Sequence, residues 1–269
     1  MREFTFLLII VYSLSIIFYL IGLFKNRKRY TQLAYKTIVI GGFFHTITFL
    51  FEMRTKQYIP ILTIDQILFF YPLLIILLTI IIHHYFQFEL LEFSTVSISI
   101  GLMMTRMNIA EMEPAIQSIF LSRFLFIHVV FTLLSYVFFA ISAIFSGMYI
   151  VHNYLLKNKV WNLMIQKLPS LEKLDKNMYL LNLMGLPLLF LGLLIGSIWA
   201  GAFFHWNFFV DIKVILSFVV LVMYGFLFIQ KKRGKWVKKQ LAVFNLFTFL
   251  MILINFFLSY HLWSFHQWF

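Results

Sequence analysis

Histidine is the residue type in this chain best suited to chemistry, and its distribution is uneven. Five of the eight histidines, His45, His128, His205, His261 and His266, map to the outer half or outer ends of long apolar segments. An imidazole in such a place is costly unless it has a partner. A set of neutral imidazoles at one membrane face can hold an iron porphyrin through axial bonds, two of them giving a six-coordinate carrier or electron-transfer site. His128 is followed by Thr132 and Ser135 at i+4 and i+7, so one helix face carries a polar stripe; the residue either ligates iron or hydrogen-bonds a neighbouring span. His261, between Tyr260 and Leu262, is either a second ligand or part of an aromatic belt with Trp263, Phe265 and Trp268, and His266 is its rival further out. His45 lies within a span and needs an internal partner, either Asp65 or iron. His205 and Trp206 sit in an aromatic run, Phe203 to Phe209, that offers a flat face for stacking. Asp211 and Lys213 either pair with each other or, through Lys213, meet porphyrin propionates. His83, His84 and His152 group near charged residues at the opposite side, as interfacial residues or a cytoplasmic heme port.

These groups must be positioned by membrane-spanning helices. The chain has 269 residues, 62% hydrophobic and 12% charged, with a mean hydropathy of +0.92. That composition exceeds what a soluble domain buries and indicates an all-α integral membrane protein. Eight apolar stretches reach spanning length, at roughly 4–24, 33–51, 61–82, 88–105, 124–150, 179–204, 213–229 and 241–260. The fourth is weakest, because Glu89 and Glu92 crowd its start. The first, ending in the basic run Lys25 to Arg29, reads as a span rather than a cleavable leader. The whole of 1–269 is expected to be a single transmembrane domain, with 152–178 as a surface helix broken near Pro169.

The net charge of +12 does not indicate nucleic acid, since the cations cluster between apolar runs as topology signals do. Alternate loops hold Lys25, Arg27, Lys28, Arg29 and Lys36; Lys157, Lys159, Lys167, Lys173 and Lys176; and Lys231, Lys232, Arg233, Lys235, Lys238 and Lys239. These are sixteen of the 22 lysines and arginines, and they place both termini outside the cell. The absence of cysteine excludes disulfides and thiolate metal sites. No Ser-His-acid set converges and no glycine-rich phosphate loop is present, so the chain does not read as an enzyme.

Residues Leu174 to Lys213 read LDKNMYLLNLMGLPLLFLGLLIGSIWAGAFFHWNFFVDIK. This segment resembles the cytochrome c assembly family (CcsA- or ResC-like) at Leu174, Asp175, Tyr179, Gly185, Pro187, Leu188, Leu189, Gly192, Gly196, Trp199 and Ala200, and in the spacing of Asp211 and Lys213. His45-Thr46, Arg54, Pro60 and Asp65 resemble an upstream family run, FIHVVFTLLSY the segment with an outer ligand at His128, and NFFLSYHLW the region of the second, His261. The resemblance implies that His128 and His261 ligate iron; His45, Trp199, Asp211 and Lys213 fall at matching positions and are candidates to line the site, whereas His205 stands where the family pattern has glycine and, with Trp206, is a candidate only through the aromatic run. The departures are Phe204, Phe208 and Val210 in place of tryptophans, Ile212 and Val214 in place of proline and glutamate, and Ile229-Gln230 where a histidine is expected. Together with the lack of a large extracytoplasmic domain of the CcsB type, they favour the HemX branch. That branch implies a protein of the bacterial plasma membrane that binds b-type heme (heme b) and limits glutamyl-tRNA reductase, the first committed enzyme of heme synthesis, without forming thioether bonds. Two other classes remain open: a cofactor-free protein recruiting a cytoplasmic partner through basic loops 152–178 and 230–240, and a small-molecule transporter. The lack of an evident inverted repeat weighs against the transporter.

Overall fold

The structure, a computed structural model, describes residues 2–86, 88–109, 123–160, 165, 167–204 and 211–261. These residues form eight α-helices and no strand. The chain divides into two compact units, Met1–Pro114 and Ala115–Phe269. Unit 1 holds α1 (Arg2–Lys25), α2 (Lys28–Lys56), α3 (Ile64–Phe86) and α4 (Glu89–Asn108); unit 2 holds α5 (Arg123–Lys157), α6 (Leu171–Phe204), α7 (Ile212–Arg233) and α8 (Lys238–His261).

All helices but α4 are long and apolar enough to cross a membrane. The eight coincide in order with the eight apolar stretches, but most extend past them. Helix α5 shows why: its 35 residues measure about 52 Å at 1.5 Å per residue, whereas about 30 Å suffices for the hydrocarbon layer. Hydropathy marks the lipid crossing, and the backbone continues helical into the polar margin. The connection expected over 152–178 is correspondingly shorter, because α5 runs to Lys157 and α6 starts at Leu171. Residues 161–164 and 166, the middle of the expected surface helix, lie outside the described residues.

Helix α4, the least apolar, is held by its neighbours rather than by lipid. It packs on α1 and α3 and turns Glu92, Thr95, Ser99 and Arg106 into unit 1, all buried. Facing it on α1 are Thr5, Tyr12 and Tyr19, also buried. Thr5, Tyr12 and Tyr19, and Glu92, Ser99 and Arg106, each repeat every seven residues, so each set lies along one face of its helix. Arg106 Nη1 donates to Thr5 Oγ1 at 2.8 Å, and that bond sets an antiparallel register with Tyr12 level with Ser99 and Tyr19 level with Glu92. The rings of Tyr19 and Phe93, 5.4 Å apart, lie at the second end of the same seam.

In unit 2, α5 packs antiparallel along α6, while α8 joins α5 and α7. Its apolar core centres on Phe139 stacked on Tyr224, ring centroids 3.6 Å apart, with Leu189, Leu193, Val220 and Ile252 around them. A polar hub lies beside this core. Asn245 Nδ2 donates to Ser142 Oγ (2.9 Å) and Ser146 Oγ (2.7 Å), and its Oδ1 accepts from Asn182 at 3.0 Å. Hydrogen bonds of this kind hold spans together where lipid competes equally well for apolar surface.

Candidate functional site

One end of unit 2 gathers the start of α5, the end of α6, the start of α7 and the last turns of α8. His128, Trp199, Asp211 and Lys213 all belong to it. His128 is seated in a groove of α6 that lacks side chains. A Cβ at Gly196 would collide with the His128 ring, and one at Gly192 would meet Thr132 Cγ2 at 2.8 Å. His128 pairs with Gly196, Thr132 with Gly192 and Phe139 with Gly185 in a single antiparallel register. The glycines that carry the family resemblance are therefore the floor on which α5 lies, allowing backbones to approach closely.

That seat fixes the imidazole. Nδ1 of His128 donates to the Gly192 carbonyl at 2.7 Å, and a carbonyl only accepts, so the proton is on Nδ1 and Nε2 is a bare lone pair. Nε2 has no hydrogen-bond partner among the described residues. An imidazole held by a carbonyl through one nitrogen, with the other unengaged among the described residues, has the orientation that a carbonyl-anchored histidine ligand shares. Lys213 is within electrostatic range of the ring and of Asp211. Asp211 is buried and caps α7, its Oδ1 accepting from the Lys213 backbone N–H at 2.8 Å. Ser217 Oγ donates to the Lys213 carbonyl at 2.7 Å and accepts from Asn255 Nδ2 at 2.9 Å, which ties the start of α7 to α8. Trp199 is buried near the end of α6. Helix α8 runs to His261; the side chain of His261, and all of His205, Trp206 and His266, lie outside the described residues.

His45 belongs to unit 1 and is engaged on both sides. Its Nδ1 accepts from the Tyr12 hydroxyl at 3.1 Å, and its Nε2 donates to the Phe69 carbonyl at 3.1 Å. Gly41, one turn before His45, leaves room for the Tyr12 ring, which a Cβ would approach to 2.6 Å. The partner of His45 is thus not Asp65. Asp65 lies 4.0 Å from Arg106, which also lies 3.7 Å from Glu52; Glu52 is in turn 3.2 Å from Lys56. Thr63 Oγ1 donates to Asp65 Oδ1 at 2.5 Å, and the Arg106 guanidinium stands 4.3 Å over the Phe69 ring. Sequence reasoning missed this cluster because its members run from Glu52 to Arg106, on three helices and the loop before α3, and carry no motif. The one available signal was a glutamate and an arginine directly abutting the ends of apolar spans, Glu52 after 33–51 and Arg106 after 88–105.

Among the histidines at the opposite side, His83 donates from Nδ1 to the buried carboxylate of Glu92 and stacks on Tyr35 at 3.5 Å. His84 is exposed. His152 donates from Nδ1 to the Pro169 carbonyl at 2.8 Å, closing α5 onto the loop before α6. Among the described residues no three histidines or carboxylates converge on a metal ion.

The helices and their composition define a multi-pass, all-α membrane protein with one histidine seated and half-engaged between two spans. The chain belongs to the cytochrome c assembly protein family, whose profile, described as "Cytochrome C assembly protein", matches residues 61–266. Over 263 residues it is 32% identical to Protein HemX of Brevibacillus brevis, covering 97% of this chain and 96% of that protein. It is 30% identical over 263 residues to Protein HemX of Bacillus subtilis (strain 168), covering 97% and 95%. The chain is a multi-pass protein of the bacterial membrane, and its family associates it with heme in general.

Proposed function

We propose that this chain binds b-type heme non-covalently at the His128 end of unit 2 and handles it there, rather than catalysing a reaction. The observation that carries the proposal is the His128 ring itself: Nδ1 is spent on the Gly192 carbonyl, which leaves Nε2 as the nitrogen that would hold heme iron and would raise its basicity. His261, at the end of α8 in the same end of the unit, supplies the second imidazole. Lys213 serves a propionate, and Trp199 stiffens the wall on α6. By the positive-inside argument this end faces out of the cell. His45 has no part in ligation on this reading, since both its nitrogens are used. A role in limiting glutamyl-tRNA reductase completes the proposal, drawn from the likeness to the HemX branch, with heme occupancy as the signal.

The test is a visible spectrum and a pyridine hemochrome of the purified protein, as isolated and after hemin titration. Wild type and His152→Ala are expected to bind heme and His128→Ala to lose most of it. His152 is the informative control, being anchored through Nδ1 like His128 but among lysines at the other end. Equal heme binding by wild type and His128→Ala sinks the assignment.

A further inference from the structure

At the end of unit 2 opposite His128, α7 stops and α8 starts within four residues. The turn is closed by Gly234 in the left-handed region, φ 65°, with its N–H donating to the Lys231 carbonyl at 3.3 Å. Residues 231–239 carry Lys231, Lys232, Arg233, Lys235, Lys238 and Lys239. The buried acid nearby, Asp175 on α6, is already committed: Lys231 Nζ donates to both its oxygens at 2.5 Å, and Lys238 lies 3.8 Å away. Lys232, Arg233, Lys235 and Lys239 are exposed and form no ion pair among the described residues.

Two features beneath these cations bear on what they meet. Trp236 packs edge-on against Phe226 at 5.5 Å and Phe244 at 5.3 Å, so an indole sits where apolar helix gives way to charge, as it does at a membrane interface. On α7, Val222, Phe226 and Ile229 are 69%, 40% and 45% exposed. With Arg233 they fall at i, i+4, i+7 and i+11, one face of the helix. The apolar lane from Val222 to Ile229 is about 10 Å long at 1.5 Å per residue, within one leaflet of a layer about 30 Å thick. A soluble acidic protein or an RNA would meet the charges and leave the lane bare. An amphiphile with an anionic head matches both.

We propose that this turn is a binding site for an anionic phospholipid, its headgroup phosphate held by Lys232, Arg233 and Lys235 and one acyl chain lying along Ile229, Phe226 and Val222. The site is independent of heme. Each cation near a membrane surface contributes about 1 kcal/mol to anionic lipid attraction, about fivefold in affinity.

The experiment titrates the full chain, purified in neutral detergent, with phosphatidylglycerol or phosphatidylcholine of identical chains and counts retained lipid by native mass spectrometry. Phosphatidylglycerol is expected to bind at least about tenfold more tightly. Arg233→Gln and Lys235→Gln should each lower that affinity about fivefold, while Lys235→Arg keeps it. Lys157→Gln, at the same end but on α5, should leave it unchanged. The single substitutions leave five cations in the turn, and a folding defect would show as lost lipid binding in Lys235→Arg as well. Lengthening the lane's steric profile with Val222→Trp should weaken both lipids alike. Equal binding of the two lipids, indifference to Arg233→Gln, or displacement of the lipid by inorganic phosphate or polyglutamate overturns the proposal.

Discussion

Replacing Gly196 with alanine puts a methyl group where the His128 ring now lies. The new carbon would stand 2.6 Å from Cε1 and 3.0 Å from Cγ of that ring, against an ordinary carbon contact of about 3.5–4.0 Å. Relief requires the ring to move by about 1 Å. The bond from Nδ1 to the Gly192 carbonyl, 2.7 Å long, does not survive such a shift if it is directed away from α6. The hydrogen bond contributes about 0.5–1.5 kcal/mol, and overpacking costs about 1–3 kcal/mol. The better helix propensity of alanine returns up to about 1 kcal/mol. The net expectation is a loss of about 1–3 kcal/mol. Gly147→Ala on α5 is the control, since a Cβ there meets nothing within 4 Å, and it should be neutral or mildly stabilising. Thermal unfolding in detergent, followed by tryptophan fluorescence, reads the stability. Hemin titration reads the seat: with the ring displaced, affinity should fall about tenfold or more, each decade being about 1.4 kcal/mol. If Gly196→Ala and Gly147→Ala melt together and take up heme alike, the glycine groove does not position His128, and the reasoning fails.

Unit 1 should respond differently. His45→Ala is expected to cost about 1–3 kcal/mol, because the Tyr12 hydroxyl and the Phe69 carbonyl lose their partner, while hemin titration is unaffected; lost heme binding would return His45 to the ligand set. Arg106→Met should destabilise by about 3–5 kcal/mol by leaving Asp65 buried without its cation and Glu52 with Lys56 alone. The triple variant Arg106→Met, Glu52→Gln, Asp65→Asn should recover most of that loss, as measured by the same melting curves. Asn245→Ala removes three side-chain hydrogen bonds at about 0.6 kcal/mol each in a membrane, so a drop of about 2 kcal/mol is expected; an unchanged melting temperature would show that the hub holds nothing together.

The sequence made some of this legible and hid the rest for definable reasons. Long apolar runs separated by cations mark the spans directly, because lipid forces every backbone polar group into a helix. Even α4 was visible, although Glu89 and Glu92 weaken its start. The ends were not, since α2 and α5 continue helical through Lys56 and Lys157, beyond where hydropathy falls. His128 and its glycine-bearing partner segment stood out through the family pattern and meet in the structure. What no spacing revealed is which imidazole nitrogen is engaged: that depends on the carbonyls of Gly192 and Phe69, 64 and 24 positions away. Asp65 illustrates the same limit. It was a natural partner for His45 by position, yet Arg106 from α4 reaches it, and pairings among four helices do not follow from distance along the chain.

The seam between α1 and α4 has a bearing on how the protein is made. Thr5 leaves the ribosome 101 residues before Arg106, Tyr12 and Tyr19 likewise well before Ser99 and Glu92, and synthesis proceeds at only about 5–20 residues per second. For several seconds the first helix therefore holds a polar stripe whose facing residues on α4 are not yet made, although Tyr12 meets its own hydrogen-bond partner earlier, when His45 emerges. When the fourth arrives, its arginine and glutamate enter the bilayer against a stripe already waiting at the same seven-residue interval. A slip by one residue would break the Arg106–Thr5 bond and turn the whole stripe away from its facing helix. The opening helix thus acts as a template for a later one that is too polar to insert comfortably by itself, and a generic hydrophobic anchor could not take its place.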